Sequence, residues 1–349
     1  MEASSSPTAV SVRASDVRVA VDRVETELTA RLLRLATPDQ MRALELTPEQ
    51  GSEPQAGTRP CAVLRDAQGR RYIFKAAEPR LVAGEVFAFG VRRLAHRPAV
   101  PTIALTYDLP GVGPSDGMLQ PLLEREDGKL DADANEWSPL QREAMLRDHP
   151  WEWLLANLDT HADQYVFIGP QKYPLNIDWD HSLFDLHITE LDRFTKRSPA
   201  IAPVRNALYD AYVHRRVNLD FSGMRREVRR IARLDNRSLE PLLAEYTALM
   251  EMPAEEAKAL REQFLSRKRR LPRTFDRLVA ELQVERRALR GPAAKSPRML
   301  LRRVAHALQD GWQRLVITYL HDHVLAPFFR LYRRVLAFTL RGHRGASAG

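Results

Sequence analysis

Cysteine is almost missing from this chain: Cys61 stands alone among 349 residues. A single thiol cannot close an intrachain disulfide and argues against a cysteine-based metal cluster, so a reducing, intracellular setting is expected. Long apolar runs are missing too. No uninterrupted stretch approaches the roughly 20 residues that a bilayer-spanning helix requires. The opening stretch, Met1 to Asp16, is rich in serine and lacks an apolar core, so no secretory signal is expected there. The expectation is a cytoplasmic protein, soluble or peripherally membrane-associated. No internal repeat stands out. Acidic residues are scarce in one place: Arg261 to Gly349 holds 20 Lys and Arg against 6 Asp and Glu, while the residues before it carry an acidic excess. The net charge of +8 thus averages a mildly acidic body and a basic C-terminal quarter.

What is present is a globular composition, 44% hydrophobic and 28% charged, in a chain long enough for two domains or one bilobal domain with appendages. Val17, Val21, Val24, Leu28, Leu32 and Leu35 recur at helical spacing. Thr37-Pro38 to Leu46 reads as a further helical turn or two, and Thr47 to Pro60 as a linker. Cys61 to Leu64 and Arg71 to Lys75 are strand-like, joined by a hairpin loop at Asp66-Ala-Gln-Gly69. Pro79 opens a helix, Leu81 to Leu94, and Val100 to Tyr107 and Gly117 to Leu122 read as two more strands. Beyond a polar linker, Ser138-Pro139 starts one helix and Asp148-His-Pro150 starts another. Pro203 to His214, Met224 to Leu234 and Leu239 to Met250 are amphipathic helices. The expected domains are 1–56 (a disordered start, a helix and a linker), 57–250 (a catalytic domain) and 251–349 (a basic helical extension).

Chemistry concentrates between Asn157 and Phe184. The apolar runs Tyr165 to Ile168 and Leu175 to Ile177 flank Gly169-Pro170, a hairpin signal. A hairpin brings the residues before its first strand and after its second together, so Asp159, His161, Gln164 and Asp178 should converge. Carboxylates gathered in one volume repel unless a cation or a reacting group lies between them. That arrangement suits metal-assisted phosphoryl transfer.

These residues also carry a family resemblance. The chain resembles the atypical branch of the protein-kinase-like superfamily, HipA-like kinases first and phosphoinositide kinases next, from about Arg59 to Tyr246. Lys75 in Tyr-Ile-Phe-Lys is similar to the strand lysine those families place on nucleotide phosphates. Glu85 in Ala-Gly-Glu-Val-Phe-Ala is similar to the helix glutamate that pairs with it. Asn157-x-Asp159-x-His161-x-x-Gln164 resembles their Asn-x-Asp-x-His-x-x-Asn catalytic loop, and Ile177-Asp178-Trp-Asp180 resembles their metal-binding segment.

The resemblance implies an α+β, bilobal protein-kinase-like fold with a small sheet-plus-helix lobe, a helical lobe and an additional basic helical region. It also implies ATP and Mg²⁺ as cofactors and a hydroxyl on a protein or a lipid as acceptor. Asp159 would serve that hydroxyl, His161 would brace the loop, and Gln164 and Asp178 would hold metal. Met118 to Leu122, with Gln120 at its centre, would meet the adenine through backbone groups. The chain departs from the pattern in three places. No Gly-rich loop precedes Lys75, leaving the amides of Asp66 to Arg70 to cradle phosphate. Gln164 replaces asparagine, and Asp180 replaces a glycine. A rival reading is an inactive scaffold of the same fold whose basic tail binds a partner or a membrane. In that tail, Phe328 to Leu340 places Arg330, Arg333 and Arg334 on one face and could lie on an anionic membrane surface. No specific nucleic acid partner is expected, because no nucleic-acid module accompanies the basic stretches.

Overall fold

The computed structural model describes residues 13–35, 37–49, 60–131, 133–157, 160–184, 186 and 203–289. The phenylalanine- and arginine-rich segment at 328–340, with its membrane reading, lies outside them. The described chain is α+β. Five antiparallel strands form one sheet: β1 (Thr47–Pro48), β2 (Cys61–Arg65), β3 (Arg71–Ala76), β4 (Ile103–Leu109) and β5 (Gly113–Pro121), in the order β1-β2-β3-β5-β4. The hairpin β6 (Tyr165–Ile168) and β7 (Tyr173–Asn176) forms a second sheet. The helices are α1 (Ala14–Leu35), α2 (Pro38–Arg42), α3 (Pro79–Leu94), α4 (Pro139–Leu155), α5 (Pro203–Val213), α6 (Ser222–Arg233), α7 (Asn236–Leu249) and α8 (Ala254–Ala288).

One face of the main sheet closes on Met41 of α2 with Leu64, Tyr72, Phe74, Ile103 and Leu119. That burial explains the alternation in Arg-Tyr-Ile-Phe-Lys, since successive strand residues point to opposite faces. Part of the stretch read as a linker is the short edge strand β1, which pairs Thr47 with Arg65 and Pro48 with Leu64. Helix α1 is no appendage. Its Val21, Leu28 and Leu32 pack with Val100, Ala144, Val166, Ile168, Tyr173 and Leu175, so the N-terminal helix completes the core around the hairpin.

The two helices expected on either side of Asp148-His-Pro150 are one. Helix α4 starts at a capping box, where Ser138 and Gln141 satisfy each other's backbone amides, and runs through Pro150. Asp148 does not cap anything. Its buried carboxylate accepts from Arg92 at 3.1 Å and Arg97 at 2.9 Å. Packing on every side outweighs the amide that Pro150 lacks.

Helix α3 packs on α7 and α8. Gly90 lets Leu242 of α7 approach, a side chain there having to sit 2.6 Å from a leucine methyl. Phe87 meets Tyr246 of α7 and Phe264 of α8 edge-on, with ring centroids 5.8 and 5.3 Å apart. Helix α8 buries Phe264, Leu271, Phe275, Leu278 and Leu282, and the compact unit runs to Arg286 rather than closing near residue 250. Within the basic run, Arg267 turns inward over the Trp153 ring at 4.0 Å, while Arg269 and Arg270 face solvent.

Candidate active site

Four elements meet at Glu85. The residue lies one turn and a half into α3, next to Gly84. Gly84 is required there: a Cβ would stand 2.5 Å from the Asp180 carbonyl oxygen and 3.2 Å from that of Ser182. The helix therefore touches the segment after β7 backbone to backbone. The Trp179 amide donates to Glu85 Oε2 at 2.5 Å, and Gln120 Nε2 of β5 donates to Glu85 Oε1 at 3.0 Å while also reaching Thr102 at 3.1 Å. Replacing Gly84 with alanine should push the 178–182 segment off α3 and cost about 1–3 kcal/mol, read from the urea midpoint. An unchanged midpoint would show that the segment can yield.

Lys75 lies at the end of β3, across from Cys61 on one side and Met118 on the other. It is half-buried and has no ion pair within 4.0 Å among the described residues. The segment itself is held at both ends. Asn176 Oδ1 accepts the Asp178 amide at 2.9 Å, and the Leu183 amide donates to Leu155 at 2.7 Å. The Phe184 ring meets the Arg80 guanidinium at 3.7 Å and stacks with the His181 ring at 4.9 Å. Leu183 sits at φ 65°, a left-handed conformation that a branched side chain adopts only under constraint.

Burial pushes the Glu85 carboxyl up from its ordinary 4.5 to about 8, and the nearby charge of Asp178 adds to it. Lys75 and the Trp179 amide pull the other way, and Asp180 pushes up again. Lys75, Glu85, Asp178 and Asp180 therefore share one electrostatic neighbourhood. Below pH 4.5 the carboxyl is protonated in the folded and unfolded chains alike. Between 4.5 and about 8 only the unfolded chain releases the proton, so stability falls as pH rises across that window and levels off above it. Buried His149, held neutral by burial and by Arg205, works oppositely below 6.5. The readable window is thus pH 6.5 to 8, where wild type should lose about 2 kcal/mol of unfolding free energy and Glu85→Gln should lose almost none. Parallel pH profiles for the two would remove the buried proton from Glu85.

The loop after α4 is only partly described: Leu158 and Asp159 lie outside the described residues. Asn157 is buried and donates to the Asp178 carbonyl at 3.4 Å, tying the loop to the segment across 21 residues. Its Oδ1, with Thr160 Oγ1 and Asn176 Nδ2, is buried and has no hydrogen-bond partner among the described residues. His161, expected to brace the loop, is exposed. Gln164 spends its side-chain oxygen on the His161 amide at 3.0 Å, closing the 3-10 turn Ala162–Gln164. The longer glutamine arm folds back where a metal ligand was expected.

Two nucleotide contacts also read differently. The Asp66 to Arg70 turn is closed on itself: Asp66 Oδ1 takes the amides of Gln68 and Arg70, Gly69 donates to the Asp66 carbonyl, and Asp66 donates to Arg70. Of its five amides only that of Ala67 is not so engaged, so this turn is not the expected phosphate cradle. Met118 and Leu119 are paired to strands on both sides, Pro121 has no donor, and the Leu122 amide donates to Arg71 at 2.9 Å. Gln120 contributes its side chain, holding Glu85 in place.

Among the described residues no cluster of three His, Cys, Asp or Glu stands ready for a metal ion. Magnesium does not need one, since it is commonly bound through one or two carboxylates together with substrate phosphates. Asp178 fits that requirement, its carbonyl held by Asn157, whose own side-chain oxygen has no hydrogen-bond partner among the described residues. Sequence reasoning overlooked Gly84, Asn157's tie to Asp178 and the ring contacts of Phe184. The small residue immediately before Glu85 was the available signal. Among the described residues no helix is long and apolar enough to cross a membrane. Comparison with family models, with curated proteins and with solved structures returns no match.

Proposed function

We propose that this chain is a phosphotransferase of protein-kinase-like, bilobal plan, using ATP and Mg²⁺ to phosphorylate a hydroxyl on a protein or a lipid. The observation that carries this reading is the convergence on Glu85 of a strand lysine, the side chain of Gln120 and the Asp178 segment, with α3 packed directly on that segment. Phosphoryl transfer depends on fixed charges around the phosphates rather than on covalent chemistry from the protein. In this reading Lys75 would hold the nucleotide phosphates and Glu85 would position Lys75, whose nearby positive charge favours the ionised carboxylate. Asp178 would hold Mg²⁺, whose charge would stabilise the phosphate oxygens during transfer. Asp159 orients the acceptor hydroxyl and takes its proton.

A second reading has its own support. The self-satisfied Asp66 turn and the capping role of Gln164 leave fewer groups for phosphate and for a second metal, which favours a nucleotide-binding scaffold with little turnover. Thermal unfolding with ATP, with and without Mg²⁺, together with γ-phosphate transfer in lysate, tests both. The kinase reading expects Mg²⁺-dependent stabilisation and transfer in wild type, both lost in Lys75→Met. Stabilisation with no transfer would select the scaffold, and neither effect in wild type would overturn the two readings together.

A further inference from the structure

Away from this site, α6 carries five arginines in the 12 residues Ser222–Arg233. Arg226, Arg229, Arg230 and Arg233 fall at i, i+3, i+4 and i+7, so they share one face of the helix. With Leu94 and His96 from the end of α3 they line an open groove of about 630 Å³. Like charges at these spacings repel one another. The groove offers little compensation. Arg226 reaches Asp22 at 2.9 Å, and Arg230 reaches Glu227 at 3.3 Å, but Glu227 is buried and also lies 3.7 Å from Arg97. Arg229 and Arg233 are exposed and have no ion-pair partner among the described residues.

We infer that this groove binds a compact ligand carrying two or more phosphate groups, gripped by Arg229 and Arg233 with Arg226 and Arg230 behind them. Guanidinium forks match phosphate oxygens two at a time and stay charged at every physiological pH. The volume lies within the range of small-molecule sites. No Phe, Tyr or Trp lines the groove, and His96 is the one ring there, too little to form a stacking platform for successive nucleic acid bases. Its apolar lining is Leu94, Ala95 and Leu234, too little to enter a bilayer. A concave surface lined by four arginines with only a small apolar floor fits a soluble polyanion best.

Calorimetric titration of the full chain with tripolyphosphate tests this, repeated on Lys75→Met so that binding at the candidate active site is separated from binding here. Charge reversal at the two exposed positions, Arg229→Glu with Arg233→Glu, leaves the buried pairs alone, and circular dichroism checks the fold. The expected result is one saturable site in wild type and in Lys75→Met, weakened by about 30-fold or more in the double variant. Reversal of exposed Arg269 and Arg273 on α8 should change it by less than about threefold. Equal weakening by the α8 reversals would reduce the effect to net charge and overturn the inference, as would unchanged binding in the α6 variant or no saturable binding at all. Tighter binding to anionic lipid vesicles or to a single-stranded oligonucleotide than to tripolyphosphate, lost in the same α6 variant, would overturn the compact ligand in favour of a macromolecular surface.

Discussion

Asp178→Asn is expected to remove phosphate transfer, by about a thousandfold or more, while leaving the fold intact and more stable near pH 8. The two effects share a cause. Asp178 lies beside a glutamate that burial already keeps protonated, and its charge pushes Glu85 further in that direction. Lys75 offsets only part of the negative charge that Asp178 and Asp180 set beside Glu85, and exchanging one carboxylate for an amide of the same shape relieves it. Asn176 Oδ1 holds the backbone amide of residue 178, and Asn157 reaches its carbonyl, so the side-chain change leaves both anchors in place. At pH 8 the relief should amount to about 1 kcal/mol, shrinking toward pH 6 where Glu85 carries its proton. Single-turnover transfer from ATP and urea midpoints at the two pH values measure both halves. Transfer within tenfold of wild type would take the metal from Asp178. A lost activity accompanied by a lost fold would instead make the residue structural.

The elements of the sheet were legible because strands β2 and β3 are covered mainly on one face and so alternate visibly. Lys75, Glu85 and Asp178 were legible as well, since a cation and two acids set among apolar residues stand out in any reading. Gly84 was not. Its role depends on a carbonyl at Asp180, 96 positions away, and a glycine beside Glu85 signals a close approach without saying what approaches. The Asp148 region misled for a related reason. An aspartate two residues before a proline suggests a helix start, yet its partners are Arg92 and Arg97, at sequence separations of 56 and 51. Helix α1 was legible from its apolar spacing, but the burial of a charge on it was not. Glu25 is in fact buried, accepts from Tyr173 at 3.1 Å and meets Arg147 at 3.2 Å. Propensity and periodicity report neighbours along the chain, and this molecule places many of its charges against partners far along it.

That habit makes Arg97→Met the most damaging substitution outside the site. Arg97 is fully buried just beyond α3, 2.5 Å from Glu25 of α1, 2.9 Å from Asp148 of α4 and 3.7 Å from Glu227 of α6. One cation therefore serves three helices. Burial alone would weaken its charge, but Glu25 and Glu227 hold its pKa well above the ordinary arginine value, so it stays ionised. Removing it leaves three buried carboxylates short of positive charge, although Arg92 still reaches Asp148 and Arg147 still reaches Glu25. Breaking one side of a buried ionic group typically costs about 3–5 kcal/mol, and a loss of that size is expected in the urea midpoint. Pairing Arg97→Met with Glu25→Gln should cost less than the sum of the single changes, because the second removes one of the charges the first strands. Helix α3 carries Glu85 and α4 leads into Asn157, so amide exchange in both should quicken together in Arg97→Met. A cost under about 1 kcal/mol would mean that Arg92, Arg147 and Arg230 already satisfy these carboxylates, and that the three helices are held by their apolar contacts alone.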